Sequence, residues 1–412
     1  MKTVNEYQKI CVMGLGYIGL PTASLLATKG FKVVGVDVSQ KVVDTINQGE
    51  IHIVEPDLDI LVKSAVHSGN LSASLEPCEA DVFIIAVPTP FKDGGPEHIS
   101  GKKPDLSYIE SATKKISSYI KPDNLVILES TSPVGTTDEV VAEILKGAGH
   151  AVGENVYVSH CPERVLPGRI LIELVENDRV VGGINDASTK VTVDFYQRFV
   201  RGSVLPTTAK TAEMVKLTEN SSRDVQIAFA NELSMICETE NIDTWEVIEL
   251  ANRHPRVNIL NPGPGVGGHC IAVDPWFIVD RSPEHSRLIR TAREVNDLKP
   301  EWVIERIKKY ANKLKNPKIG CLGITFKADV DDLRESPALG IVNRLIQMGI
   351  GDISVCEPNI KALDGIELCG LDDLIMDSDI LLLLVDHKEF RALSSKCLDE
   401  KIIVDTRGFL KK

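Results

Sequence analysis

Lys9-Ile10-Cys11-Val12-Met13-Gly14-Leu15-Gly16-Tyr17-Ile18-Gly19 is the stretch that decides the fold. Five mostly apolar residues, long enough for a buried strand, run into Gly-x-Gly-x-x-Gly. A helical pattern, Pro21–Lys29, follows and is stopped by Gly30. A glycine fingerprint alone says little, but between a strand and a helix it reads as a dinucleotide-binding turn. Gly14 permits the tight turn, Gly16 lets a pyrophosphate approach, and Gly19 lets helix and strand pack closely. The pyrophosphate then lies at the helix N-terminus, so Tyr17 and Ile18 join the three glycines as cofactor-binding candidates. Asp37 ends the next apolar run at about the ~20-residue spacing of a ribose-binding acid. Its carboxylate accepts from ribose hydroxyls and repels a 2′-phosphate, which favours NAD over NADP.

Outward from this turn, Lys32–Val36, Val82–Val87, Leu125–Leu128 and Val156–Val158 read as further buried parallel strands. Helical patterns such as Asp138–Lys146, stopped by Gly147, fall between them. Thr208–Asn241 is one long helical stretch without proline or glycine, and Asp243 caps a second helix. The long helix either links domains and offers a dimerisation surface or is a plain core helix. Another helical region covers Ser286–Leu314. Strand patterns then return at Lys318–Ile324, Ile353–Cys356, Ile380–Val385 and Ile402–Asp405, with a helix over Ser336–Met348. The expected fold is α/β, with two Rossmann-like doubly wound domains joined by a long central helix. The expected division is 1–207 for an NAD-binding domain, 208–314 for a central helical domain, and 315–412 for a second Rossmann-like domain.

The chain has 412 residues, enough for two or three domains, with 43% hydrophobic and 25% charged residues. A formal net charge of -13 disfavours nucleic acid and anionic membranes as partners. An anionic substrate would therefore need a local basic cluster. Nine scattered cysteines without a Cys-x-x-Cys pair suit a reducing cytoplasm better than disulfides or zinc, and no metal is expected. The apolar stretch after Lys9 resembles a leader, but three glycines interrupt it and a helix follows. Ile380–Val385 is far too short to span a membrane.

Polar residues gather where chemistry is expected. Thr89 and Ser130-Thr131 follow strands, the position at which open α/β sheets bind ligands, although single hydroxyls there are more often turn residues. Lys216, Asn220 and Arg223 fall at i, i+4 and i+7, on one helix face. A solvated face is the ordinary explanation. Flanking Ala228, Leu233 and Ile236 argue instead for a buried helix, where such a row needs a polar ligand. Lys216 and Asn220 can then stabilise an oxyanion and Arg223 can bind phosphate or a sugar substituent. Arg253, His254 and Arg256 offer positive charge before the loop Gly263-Pro-Gly-Val-Gly-Gly-His-Cys-Ile-Ala-Val-Asp274. A lone cysteine is usually inert. Cys270, beside a glycine run and four residues before Asp274, reads as a nucleophile.

Taken in order, these motifs resemble the UDP-glucose/UDP-N-acetylmannosamine dehydrogenase family along essentially the whole chain. The motifs are Gly14–Gly19, Val87-Pro88-Thr89-Pro90, Ser130–Gly135, Cys161-Pro162-Glu163-Arg164, Lys216–Asn220, Gly265–Asp274, Gly323–Lys327 and Arg334–Pro337. The resemblance implies a four-electron oxidation of a sugar C6 alcohol to a carboxylate with two NAD, through a thiohemiacetal and a thioester on Cys270. It implies that Lys216 and Asp274 handle protons and the oxyanion, with Asn220 assisting. Glu163 and Thr131 would act in thioester hydrolysis. Thr89, Thr131 and Arg334 would contact the cofactor. Arg164, Val165, Gly267, Phe326 and Lys327 would contact substrate alongside Lys216, Asn220, Arg223, His254 and Arg256. It further implies UDP binding in the last domain and a homodimer or higher homo-oligomer.

One departure matters. The UDP-glucose branch usually carries a second acid after the fifth strand, where this chain reads Pro162-Glu163-Arg164-Val165-Leu166-Pro167. No role passes to Pro167, and the form resembles the branch acting on N-acetylated sugars. His254-Pro-Arg-Val-Asn258 and Ile271–Phe277 point the same way. The implied substrate is UDP-N-acetyl-D-mannosamine, with UDP-N-acetylglucosamine and UDP-glucose as alternatives.

Overall fold

The structure, a computed structural model, describes residues 6–92, 102–166, 168–268, 270–393, 398 and 401–410. Pro167 and His269 of the motifs above lie outside the described residues. The chain divides into two compact units, Met1–Glu219 and Asn220–Lys412.

The first unit is built on eight strands: β1 (Lys9–Met13), β2 (Lys32–Val36), β3 (Leu71–Ser74), β4 (Val82–Ile85), β5 (Leu125–Leu128), β6 (Tyr157–His160), β7 (Arg179–Gly183) and β8 (Val204–Thr208). Their order is β3-β2-β1-β4-β5-β6-β7-β8, and every neighbouring pair is parallel except β6–β7. The first six strands follow the 3-2-1-4-5-6 order of a dinucleotide-binding sheet. Alternate residues feed opposite faces, as the strand period requires. Ile10 and Val12 enter one core with Leu20, Ala23 and Leu26 of α1 (Gly19–Thr28). Cys11 and Met13 enter another with Ile109, Ala112 and Ile116 of the helix Ser107–Ser117. Both faces of the sheet are covered, which makes the unit doubly wound.

The expected helix at Asp138–Lys146 starts differently. A π-helical segment, Thr137–Ala142, runs into a short α-helix, Glu143–Gly147. A wider π turn is common near functional sites. The expected strand Val82–Val87 ends at Ile85, three residues before Pro88 and its missing N–H.

The second unit carries a four-stranded parallel sheet of Lys318–Leu322, Asp352–Cys356, Ile380–Leu383 and Ile402–Asp405, which we label β9, β10, β11 and β12, in the order β10-β9-β11-β12. Here too, Ile319 and Cys321 face one core while Leu322 faces another. The two sheets share their wiring at the first strand. Gly14 has φ +90° and Gly323 has φ +83°. Gly14 N–H donates to the Val36 carbonyl (2.7 Å) and Gly323 N–H to the Cys356 carbonyl (2.9 Å). Leu15 N–H donates to Asp37 (3.1 Å), and Ile324 N–H donates to Glu357 (2.8 Å).

The long helix spans Ala209–Thr239, 31 residues, and crosses the boundary between the units. Asp243 caps the next helix, Thr244–Ala251, accepting from Trp245 N–H and Glu246 N–H. A second long helix covers Arg287–Ala311, and Ser336 caps the helix Pro337–Met348. Among the described residues, no helix is long and apolar enough to cross a membrane.

Candidate functional site

In the first unit, the fingerprint forms an open cradle. A Cβ on Gly14 would lie 2.6 Å from the Ala86 carbonyl oxygen, and one on Gly19 would lie 1.8 Å from the Gly14 oxygen. A Cβ on Gly16 would meet nothing within 4 Å. Two glycines are therefore needed for backbone packing, and the middle one faces free space where a pyrophosphate fits. No side chain caps α1, and within its first turn Leu20 N–H donates to the Gly16 carbonyl (3.1 Å). Asp37 accepts from Leu15 N–H (3.1 Å) and Ser39 N–H (3.0 Å), which orients its carboxylate at the end of β2.

At the ends of β4 and β5, the Thr89 hydroxyl donates to the Thr131 carbonyl at 2.7 Å. The loop carrying Thr131 is fastened by a residue that sequence reasoning missed. Glu213, on the first third of the long helix, accepts from Gly135 N–H (2.5 Å), Thr137 N–H (2.8 Å) and the Thr137 hydroxyl (2.6 Å). It lies one turn before half-buried Lys216 on that helix.

Glu163 follows β6 and is buried. Its Oε1 accepts from Arg164 N–H (2.8 Å), and its Oε2 accepts from Arg179 Nη1 (2.5 Å). This ion pair is desolvated, its side chains 4% and 5% exposed. The Arg179 guanidinium also lies over the Tyr196 ring, 5.3 Å from its centroid. The Tyr196 hydroxyl donates to Glu129 at 2.6 Å. Burial pushes the Glu129 carboxyl up to about 7 and lowers the neighbouring His160 imidazole to about 3. Cys161 is also buried, and desolvation pushes its thiol up to about 12. Arg164 is half-buried and donates to Glu219 (2.7 Å), and Val165 beside it is half-buried.

In the second unit, Cys270 is exposed and opens the turn into the helix Asp274–Arg281. Asp274 N–H donates to the Cys270 carbonyl at 2.8 Å, so thiol and carboxylate are one helical turn apart. Asp274 is buried, and Asn220 Nδ2 donates to its Oδ2 at 2.6 Å. The glycine loop lies against the segment after β9. A Cβ on Gly267 would come within 2.4 Å of the Glu335 oxygen, and one on Gly268 within 3.0 Å of the Phe326 ring. Gly268 N–H donates to the Arg334 carbonyl at 3.3 Å. Phe326 and the cysteine loop are thus brought together. Side chains would hold them apart.

The remaining candidates differ in placement. Lys327 is exposed, and Arg334 is paired with Asp332. Arg223, His254 and Arg256 are exposed. So is Ile236, at 53%, which corrects the inference of a fully buried helix; Ala228 is buried. Glu357 and His387 were missed. Glu357 accepts from Ile324 N–H (2.8 Å) and Thr325 N–H (3.3 Å), and His387 Nε2 lies 3.0 Å from it. Together they hold the backbone just before Phe326. Glu357 occupies in its sheet the place Asp37 takes in the other, and that parallel was a readable signal. Asp329, His387 and Glu389 offer ligand atoms within 4.8 Å of one another. However, Asp329 N–H already donates to His387 Nδ1 at 3.0 Å, which occupies that lone pair.

Residues 8–200 match the NAD binding domain of the UDP-glucose/GDP-mannose dehydrogenase family, 210–298 its central domain, and 320–412 its UDP binding domain. An NDP-N-acetyl-D-galactosaminuronic acid dehydrogenase of Ralstonia nicotianae is 55% identical, over 98% of this chain and 96% of the relative. A UDP-N-acetyl-D-mannosamine dehydrogenase of Campylobacter jejuni is 53% identical, over 95% of this chain and 98% of the relative. The solved UDP-N-acetyl-mannosamine dehydrogenase of S. aureus superposes with a TM-score of 0.89 at 43% identity, covering 98% of this chain and 96% of its own. With the strand order, the open glycine cradle and this identity over nearly the full length, the chain belongs to the UDP-glucose/GDP-mannose dehydrogenase family.

Proposed function

We propose that the protein oxidises the C6 alcohol of UDP-N-acetyl-D-mannosamine to the carboxylate, consuming two NAD and passing through a thioester on Cys270. The observation that carries this reading is the turn joining an exposed thiol to a buried, amide-bonded carboxylate, Cys270 to Asp274, with Asn220 as the amide.

NAD, when bound, takes up one hydride from C6 in each oxidation. The cradle of Gly14, Gly16 and Gly19 with Asp37 holds the cofactor, and Thr89, Thr131 and Arg334 complete that set. Lys216 and Asp274 take up and return the protons of the C6 oxygen, and Asn220 keeps the Asp274 carboxylate oriented. Loss of the hydroxyl proton and one hydride leaves an aldehyde. The Cys270 sulfur adds to its carbon and forms a thiohemiacetal, which keeps the intermediate attached. Loss of the thiohemiacetal hydroxyl proton and a second hydride gives the thioester. Glu163, oriented by Arg179, and Thr131 guide a water onto the thioester carbonyl. The C–S bond then breaks, releasing the carboxylate and restoring the thiol. Arg164, Arg223, His254 and Arg256 supply positive charge and amide partners for the diphosphate and the 2-acetamido group. Val165, Gly267, Phe326 and Lys327 complete the substrate set. The long helix leaves Met214, Phe229 and Ile236 exposed, apolar surface that a second copy of the chain would cover.

A second reading takes the galacto-configured N-acetylhexosamine as substrate. It is favoured by the 55% identity to the Ralstonia relative. A turnover panel of UDP-linked N-acetylmannosamine, N-acetylgalactosamine, N-acetylglucosamine and glucose decides between them. For the preferred sugar we expect two NADH per acid formed. One NADH with accumulating aldehyde overturns the thioester route.

A further inference from the structure

Four fully buried polar side chains, Asp224, Asn231, Arg293 and Asn296, lie at the contact of the two long helices in the second unit. They form a chain of hydrogen bonds that runs in one direction from Gly263 to Asp224, where Arg293 donates from the other side. Gly263 N–H donates to Asn231 Oδ1 (2.9 Å), and Asn231 Nδ2 donates to Asn296 Oδ1 (2.8 Å). Asn296 Nδ2 donates to Asp224 Oδ1 (2.8 Å). Arg293 Nη1 donates to the same Oδ1 (2.5 Å) and to the Ile271 carbonyl (3.4 Å), while its Nη2 is paired with Asp297. Both ends of the chain fall on loop backbone, at the first residue of the glycine run and at the residue after Cys270.

Apolar residues of similar volume would stabilise such a helix contact at least as well as a desolvated ion pair. The polar chain therefore needs another reason, and the loop supplies it. Gly265 and Gly267 lie so close to Pro337 and the Glu335 backbone that side chains are excluded there, and Gly268 packs tightly on the Phe326 ring. Glycine at four of the seven positions from Gly263 to His269 leaves this loop few side chains with which to anchor itself. We infer that Asp224, Asn231, Arg293 and Asn296 are positioning residues that fix the register of the cysteine loop by clamping Gly263 and Ile271, and so aim the Cys270 sulfur. This rests on Cys270 acting as the nucleophile proposed above.

The test exploits the polarity of the chain. Asn296→Asp removes the donor to Asp224 and sets two carboxylates face to face. Asp224→Asn combined with Asn296→Asp restores an amide donor between them at unchanged net charge. Arg293→Lys is a milder probe that keeps the charge and loses the reach to Ile271. For each folded variant, with NAD bound, we would measure the iodoacetamide alkylation rate of the Cys270 peptide against pH, and the rate of acid formation. Thermal midpoints are measured in parallel. We expect both rates to fall about tenfold or more in Asn296→Asp and in Arg293→Lys, and the double variant to recover to within about threefold of the parent. A lowered midpoint with parental alkylation and acid formation would reduce the chain to a structural role and overturn the proposal. Cys270→Ser separates the two ideas. Undiminished acid formation there overturns the nucleophile reading. Lost acid formation there, with parental rates in Asn296→Asp and Arg293→Lys, overturns the positioning chain alone.

Discussion

Asn220 Nδ2 and Asp274 Oδ2 lie 2.6 Å apart, an amide donating to a carboxylate that is 3% exposed. One partner sits on the long helix and the other on the first turn of the helix that follows Cys270. The bond holds the Asp274 carboxylate in a fixed orientation.

Asn220→Asp turns this contact into two carboxyl groups at hydrogen-bond distance. Two such groups share a proton, and one of them is forced well above the ordinary carboxylate range. We expect the acidic limb of the pH profile of kcat to move upward by about one unit or more. Asn220→Ala should lower kcat without moving that limb. Initial rates of NADH formation across pH distinguish the two, and an unmoved limb in Asn220→Asp would remove Asp274 from proton transfer.

The glycines of the cradle make opposite predictions. A Cβ at Gly14 meets backbone 2.6 Å away and requires φ +90° of an L-residue, whereas a Cβ at Gly16 meets nothing within 4 Å. Gly14→Ala should therefore destabilise the fold, by about 1 kcal/mol or more. Gly16→Ala should leave the thermal midpoint unchanged and raise the NAD KM, since the methyl occupies space meant for the pyrophosphate. Unchanged KM in a stable Gly16→Ala would place the pyrophosphate elsewhere.

The strands legible in the sequence were those written as continuous, mainly apolar runs. β1, β2, β5 and β12 keep their expected bounds because each is a continuous, mainly apolar run ended by turn-forming or polar residues. β3, β7 and β8 escaped. β3 reads Leu-Ser-Ala-Ser, β7 begins with Arg179 and ends in two glycines, and β8 carries Pro206, which only an edge strand tolerates. The site divides the same way. Residues inside compact motifs were readable. Their supports were not, because no local spacing reports a partner 76 residues away, as Thr137 is from Glu213, or 69, as Asp224 is from Arg293.

Glu129 gives the first unit a definite pH dependence. Burial pushes its carboxyl from 4.5 to about 7, so the folded protein holds a proton that the unfolded chain releases. Between those two values the unfolded state binds fewer protons, and stability contributed by this group falls as pH rises. Glu129→Gln keeps an acceptor for the Tyr196 hydroxyl and removes the ionisation. Its stability relative to the parent should rise between about pH 5 and 7 and level off above. Denaturation midpoints of both proteins across that range check this. A difference independent of pH would mean that Glu129 titrates alike in both states.

Glu213 makes the last prediction, because it ties the Thr131 loop to the helix of Lys216. Its two oxygens take three donors from Gly135 and Thr137, and it is 1% exposed. Gln at this position offers a single acceptor oxygen and turns an NH2 group toward backbone N–H groups. At least one buried donor is then left unsatisfied, a loss of about 1–3 kcal/mol. Thr137→Val removes only the hydroxyl donor and leaves both backbone bonds intact, so it should cost less. If the clamp also sets the loop for chemistry, Glu213→Gln should slow acid formation in the folded enzyme beyond its effect on stability, and Thr137→Val should not. Urea titrations and turnover at a temperature where both variants are fully folded separate these effects. Parental stability in Glu213→Gln would show that the loop is held by other contacts.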